Sequence, residues 1–267
     1  MKRLIALLVG LFIASGPALA TAGGEAATTA GKKKKKQQQE EAITDPLYAL
    51  TLMRQGSVMI QQDRVEEALQ QFLEADKLAP GNATVYNMIG LCHMRLGEFD
   101  KALVAFDQAI RLIPGFTNAR NNRGAIYLEM KQYHMAEVDF VAVLGDSTYP
   151  YRKQVFYNLG MTYLERDQFG AAAENFRRAL ILPDPVFEAY LRLSEIAQRH
   201  GELDSSLDLL EEARFNFPDR LEVSLELGKL LLIMDREDEA RPYLEQVVTD
   251  APGSDSAATA RSLLGTS

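Results

Sequence analysis

The chain holds a single cysteine, Cys92, among 267 residues. One cysteine makes no internal disulfide, so the fold is not a disulfide framework. Cys92 sits inside a patterned apolar stretch with no activating base beside it in sequence. That setting predicts a buried, inert thiol rather than a nucleophile. Histidine is also scarce: His93, His134 and His200 are scattered and lack metal-ligand spacing. No glycine-rich phosphate loop follows a strand, and no strand-period pattern is present. With no catalytic constellation, the expectation is a non-enzymatic protein with no metal and no cofactor. Long apolar runs are missing too. Leu4 to Ala14 spans 11 residues, too short to cross a bilayer comfortably.

What is present is a beat of about 34 residues. Small side chains recur as Gly56, Gly90, Gly124, Gly160, Ser194 and Gly228. Twelve residues after each comes Ala68, Ala102, Ala136, Ala172, Ser206 or Ala240, and four further on Phe72, Phe106, Phe140, Phe176, Leu210 or Leu244. Prolines close most units, at Pro80, Pro114, Pro218 and Pro252. Spacings of three, four and seven place side chains on one helical face, so each unit reads as a helix pair. Small slots mark close helix crossings, and the large slot fills the adjacent gap. One pair buries too little by itself, so pairs stack into an array, and arrays of this period bind rather than catalyse. Arg123 interrupts an apolar slot and needs solvent or a carboxylate, because an unpaired buried charge is costly.

The second unit, with Tyr86, Ile89, Gly90, Ala102, Phe106, Ala109 and Pro114, closely resembles the tetratricopeptide repeat (TPR) pattern. The resemblance implies an all-α fold: a right-handed superhelical solenoid of six TPR helix pairs with a C-terminal capping helix. The units fall at about 49–82, 83–116, 117–150, 153–186, 187–220 and 221–254, inside a repeat body of 46–254. Asp45-Pro46 reads as the start of the first helix, and Ser254-Asp255 as the cap of a final helix to about Leu264, with 255–267 as capping helix and tail. His93 takes a slot the repeat gives to tyrosine, which implies packing. First helices of such repeats line a concave groove. Here that groove carries Met53, Asn87, Leu91, Met94, Asn121, Leu128, Tyr157, Met161, Leu164 and Leu191, with Glu195, Leu225, Lys229 and Leu232 in later slots. Methionine and leucine suit an apolar peptide or amphipathic helix, and Asn87 and Asn121 offer hydrogen bonds to a peptide backbone. The same apolar residues are equally suited to packing neighbouring helices. The lysines with which chaperone-binding members grip a carboxylate are absent from their slots.

Upstream of the repeats, Lys2-Arg3, the apolar run, Gly16-Pro17 and Ala18-Leu19-Ala20 have the layout of a secretory signal peptide, 1–20, cleaved after Ala20. An uncleaved, membrane-tethering signal is the alternative. Residues 21–45 hold small and polar residues, Lys32 to Lys36 and three glutamines, and read as a disordered linker. The lysine run permits a weak membrane-surface contact. The chain carries −8 in all, −10 without Lys2 and Arg3, and −11 once the five lysines, Glu25, Glu40, Glu41 and Asp45 are also set aside. An acidic repeat body argues against nucleic acid and for a neutral, apolar or basic partner.

Between the third and fourth units the beat lengthens to 36 residues, across Gly145 to Gly160 with Tyr149-Pro150. With Asn118 to Gly124 upstream, this stretch resembles the type IV pilus biogenesis/stability family, six-repeat pilotins that assist the pilus secretin. The resemblance implies a periplasmic scaffold or assembly factor, with a secretin or pilus component as the segment held in the groove. A general cell-envelope adaptor, for cell-wall or polysaccharide assembly, is the alternative. Those pilotins are lipoproteins. No cysteine lies near Ala20, so a soluble or electrostatically tethered periplasmic protein is expected here.

Overall fold

Apolar residues at helical spacing, separated by short polar turns, leave this chain only one regular structure. The computed structural model describes residues 45–181 and 184–265, and among them every regular element is a helix. The signal peptide, its cleavage point and the lysine run lie outside the described residues. The helices are α1 Pro46–Gln61, α2 Val65–Leu78, α3 Ala83–Arg95, α4 Phe99–Leu112, α5 Thr117–Glu129, α6 Tyr133–Leu144 and α7 Arg152–Leu164. They continue as α8 Phe169–Ala179, α9 Phe187–Arg199, α10 Leu203–Asn216, α11 Leu221–Ile233, α12 Glu237–Asp250 and α13 Asp255–Leu264. The chain divides into two compact units, parting at Ile126 and Tyr127 within α5.

In the first unit, α1 begins on a capped turn: Asp45 accepts a hydrogen bond from the Tyr48 amide at 3.0 Å, and Pro46 takes the first helical position. α1 pairs with α2, and α3 with α4. A Cβ placed on Gly56 would stand 2.8 Å from the Phe72 ring, and one on Gly90 2.6 Å from the Phe106 ring. Both rings are fully buried. The glycines are thus required by contact distance: no side chain fits between these helices. Arg123 reaches Asp107 at 2.6 Å, so the charge in an apolar slot is paired. Cys92 is fully buried, and burial pushes its thiol up to about 12.

The second unit repeats the arrangement. A Cβ on Gly160 would meet Phe176 at 2.7 Å, and one on Gly228 would meet Leu244 at 2.5 Å. Tyr149 is buried in the Gly145–Tyr151 turn, which Asp146 closes by accepting from the Thr148 amide at 2.9 Å. Ser254 caps α13 by accepting from the Ala257 amide at 3.1 Å. α13 then lays Ala257 and Ala260 against the end of the unit, covering an apolar face that would otherwise meet water.

Each described turn inside a pair passes through a left-handed residue at one slot: Asp63, Gly97, Lys131, Asp167, Gly201 and Asp235, with φ between 56° and 76°. The next amide in every case bonds the carbonyl five residues back, as Glu98 does to His93 at 2.9 Å and Glu202 to Ala197 at 2.9 Å. This closure satisfies carbonyls orphaned at the helix end.

Candidate functional site

The first helices of the pairs carry all ten groove residues that the sequence nominates. In the first unit, Asn87, Leu91 and Met94 on α3 and Asn121 on α5 are buried, while Met53 on α1 is half-buried. Asn87 spends its carbonyl oxygen on Asn122, which donates to it at 3.3 Å. The Asn121 Oδ1 is buried with no hydrogen-bond partner. In the second unit, Leu128, Tyr157 and Met161 are buried, and Leu164 and Leu191 are half-buried. The Tyr157 ring packs against Phe176, centroids 5.6 Å apart. Burial pushes its hydroxyl above the ordinary tyrosine range, with Arg192 opposing. Met53, Leu164 and Leu191 therefore keep the most surface of the ten, and the other seven spend theirs on neighbouring side chains.

Around Leu191 the second unit opens into a cavity of about 440 Å³. Leu191 and Leu225 supply apolar wall, Glu188, Glu195 and Glu222 supply carboxylates, and Arg192 stands among them. Leu191 and Leu225 occupy one slot of successive repeats, and Glu188 and Glu222 another, so the repeat copies an acid-leucine pair along the wall. Arg192 donates to Glu195 at 2.8 Å, and Arg199 to the other oxygen at 2.8 Å. Burial alone would raise the Glu195 carboxyl, but the two guanidiniums outweigh it and hold the carboxyl below its usual range. Arg192 keeps one Nε–H with no acceptor. Among the ten nominated residues only Leu191 lines this cavity. Glu188 and Glu222 were legible by extending the same slot rule to the second position of each unit; Arg192 had no such signal.

Among the described residues no group of three histidine, cysteine or acidic side chains is placed to hold a metal. None of the described helices is long and apolar enough to cross a membrane.

Two tetratricopeptide repeat family models match, one over residues 83–116 and the other over 157–220 and 191–255. This chain carries tetratricopeptide repeats. No curated protein sequence matches it. Among solved structures, PilF of Pseudomonas aeruginosa aligns with a TM-score of 0.69 at 20% identity, over 80% of this chain and 96% of that one. PilW, a type IV pilus biogenesis factor, aligns at 0.71 and 20% identity, over 80% of this chain and 98% of that one. YrrB, a TPR protein with an unusual peptide-binding site, aligns at 0.55 and 20% identity, over 72% and 97%. At such identities the likeness establishes the all-α TPR fold. The repeats make the protein a TPR scaffold, of the kind that binds proteins or peptides.

Proposed function

We propose that this TPR scaffold is a non-enzymatic assembly factor of the bacterial envelope, exported to the periplasm and serving type IV pilus or secretin biogenesis. The observation that carries the reading is that nearly the whole of PilF and of PilW superimposes on four fifths of this chain. The signal-like residues 1–20 and the Tyr149-Pro150 junction support it. The partner segment lies along the first helices, in contact with Leu191 and Leu225, where the wall remains open. Leu164 extends the contact within the same unit.

The test is a crosslinking pull-down from intact cells with the full chain and a Leu191→Glu variant. Recovery of secretin or pilus proteins by the wild type, and their loss from a variant with unchanged thermal melting, supports the reading. Recovery of cell-wall or polysaccharide assembly proteins instead would favour the general envelope adaptor. Mass spectrometry of the mature N-terminus adds an independent check: a start at Thr21 fits export, whereas a retained Met1 contradicts cleavage.

A further inference from the structure

We propose that the outer face of α6, with the hollow at Phe156 beside it, is a second docking surface. Its occupant is an amphipathic helix of a partner protein that carries a carboxylate at one end of its apolar face.

The first observation is the composition of α6. Its inward residues Ala136, Phe140 and Val143 are fully buried. Its outward residues Met135, Val138 and Val141 are apolar as well, and 44–52% exposed. A helix whose outer face is apolar as well as its packed one is ordinarily covered there too, and the buried Asp139 is the one charge on the packed side. The other second helices of this unit obey that rule by turning charge outward: Glu174, Arg177 and Arg178 on α8, and Asp204, Asp208, Glu211 and Glu212 on α10. Of the two acids on α6, Asp139 is buried on the inward side, and Glu137 is held by the Tyr163 hydroxyl at 2.9 Å and by Arg166. Nothing charged therefore interrupts the stripe of Met135, Val138 and Val141.

The second observation is independent of the stripe and adjoins it. Val141 also lines a hollow of about 380 Å³, together with Leu144, Arg152, Phe156 and Arg178. The guanidiniums of Arg152 and Arg178 flank the Phe156 ring, 5.8 and 5.5 Å from its centroid. The Arg152 Nη1 donates to two neutral carbonyls, Leu144 O at 2.6 Å and Asp146 O at 2.7 Å, rather than to a carboxylate. Arg178 pairs only with Glu174 one turn away, at half-exposed side chains, an arrangement worth little and readily exchanged.

The two features specify one kind of occupant. The apolar stripe matches the i, i+3, i+4 anchors of an amphipathic helix. The paired guanidiniums at its end match a carboxylate, because Arg binds planar anions with two parallel hydrogen bonds. An anionic bilayer offers the same two chemistries, but the repeat body carries −11 and is repelled by it. This surface shares no residue with the cavity at Leu191, so both can be filled together.

The experiment places a photo-crosslinking amino acid at Met135 or at Val141 in the full chain, within intact cells, and sequences the crosslinked segment. The expected result is a segment of another protein with helical apolar spacing and an Asp or Glu within one turn of the contact. Val138→Glu should abolish the product from Met135 without changing the thermal melt. Arg178→Ala should cut the yield from Val141 about fivefold, the effect of losing one charge-assisted hydrogen bond. Crosslinks only to lipid, only to a second copy of this chain, only to its own residues 1–44, or to nothing at all, each overturn the proposal. Equal yields from a probe at Val104, an isolated exposed residue of α4, would overturn it too.

Discussion

Two neighbouring helix pairs in the same unit solve one packing problem in different ways. Between α7 and α8, Gly160 lets the Phe176 ring lie on the backbone, and Ala172 fills the other small slot, so the three slots of this crossing are apolar. Between α9 and α10, serines hold both small slots, and Leu210 stands where the phenylalanine would be. The Ser194 and Ser206 hydroxyls meet at 2.8 Å, and Gln198 donates to each at 3.1 Å. The exchange works because volume is conserved, with smaller Leu210 against larger Ser194, and because each buried hydroxyl is bonded. The lesson concerns how these two pairs trade side chains: a larger residue in the small slot goes with a smaller one in the large slot, and the polar atoms that enter are bonded. The α11–α12 pair, by contrast, sets Leu244 against Gly228 with less volume in all. A polar crossing also changes the neighbourhood, since Ser194 and Gln198 line the cavity at Leu191 while nothing of the apolar crossing reaches it.

The largest effect should come from emptying the apolar crossing. Phe176→Ala removes a fully buried ring and should cost about 3–5 kcal/mol, measured by denaturant melting. Filling the crossing should cost less. Gly160→Ala sets a Cβ 2.7 Å from the ring and should destabilise by about 1–3 kcal/mol, whereas adding Phe176→Leu on that background should recover part of the loss, as the natural α9–α10 pair does with Leu210. If the double variant is no better than the single, volume conservation is the wrong account.

The polar crossing is best tested by a cycle. Ser206→Ala alone leaves the Ser194 hydroxyl with only Gln198 and should cost about 1 kcal/mol. Ser194→Ala with Ser206→Ala should cost less than the sum of the singles, because no hydroxyl is then left short of a partner. Strict additivity would show that the hydroxyls act separately. The connecting turns differ in a smaller way. Gly201 takes φ 76° where the α7–α8 turn uses Asp167 at 56°. Gly201→Ala should therefore cost about 1 kcal/mol, and Asp167→Gly should come near neutral or slightly stabilising by the same melt.

The α9–α10 pair also carries a titration. Burial first, and then the Glu212 carboxylate that accepts its hydroxyl at 2.8 Å, push the Tyr190 hydroxyl up to about 12. A raised folded value means the folded state holds its proton longer than the unfolded chain does. The associated stability is complete below about pH 10 and drains as pH climbs toward 12. The melting temperature should fall across that window, and Tyr190→Phe should flatten the fall.

Much of this was legible residue by residue. Gly90 with Phe106, and Gly160 with Phe176, announce a close crossing through size alone, and the Asp45-Pro46 and Ser254 caps follow from local hydrogen bonding. Arg123 in an apolar slot signalled a need for solvent or a carboxylate, but not that Asp107, sixteen residues earlier, would meet it. The groove was harder. Slot arithmetic gives Met94, Tyr157 and Leu191 equal standing, yet the first two are buried and Leu191 borders a cavity. Exposure at a slot depends on the side chains of the neighbouring repeat, which periodicity does not count.

Sequence by itself therefore determined the helix pairs, their close crossings and the repeat family. These depend on spacing and side-chain volume within one unit, both of which are written locally. Tertiary structure alone decided which slots remain open, which acid answers each arginine, and that the apolar outer face of α6 adjoins two guanidiniums. Those outcomes arise where residues far apart in the chain share one solvent boundary, and burial is a property of the assembled neighbours rather than of any residue.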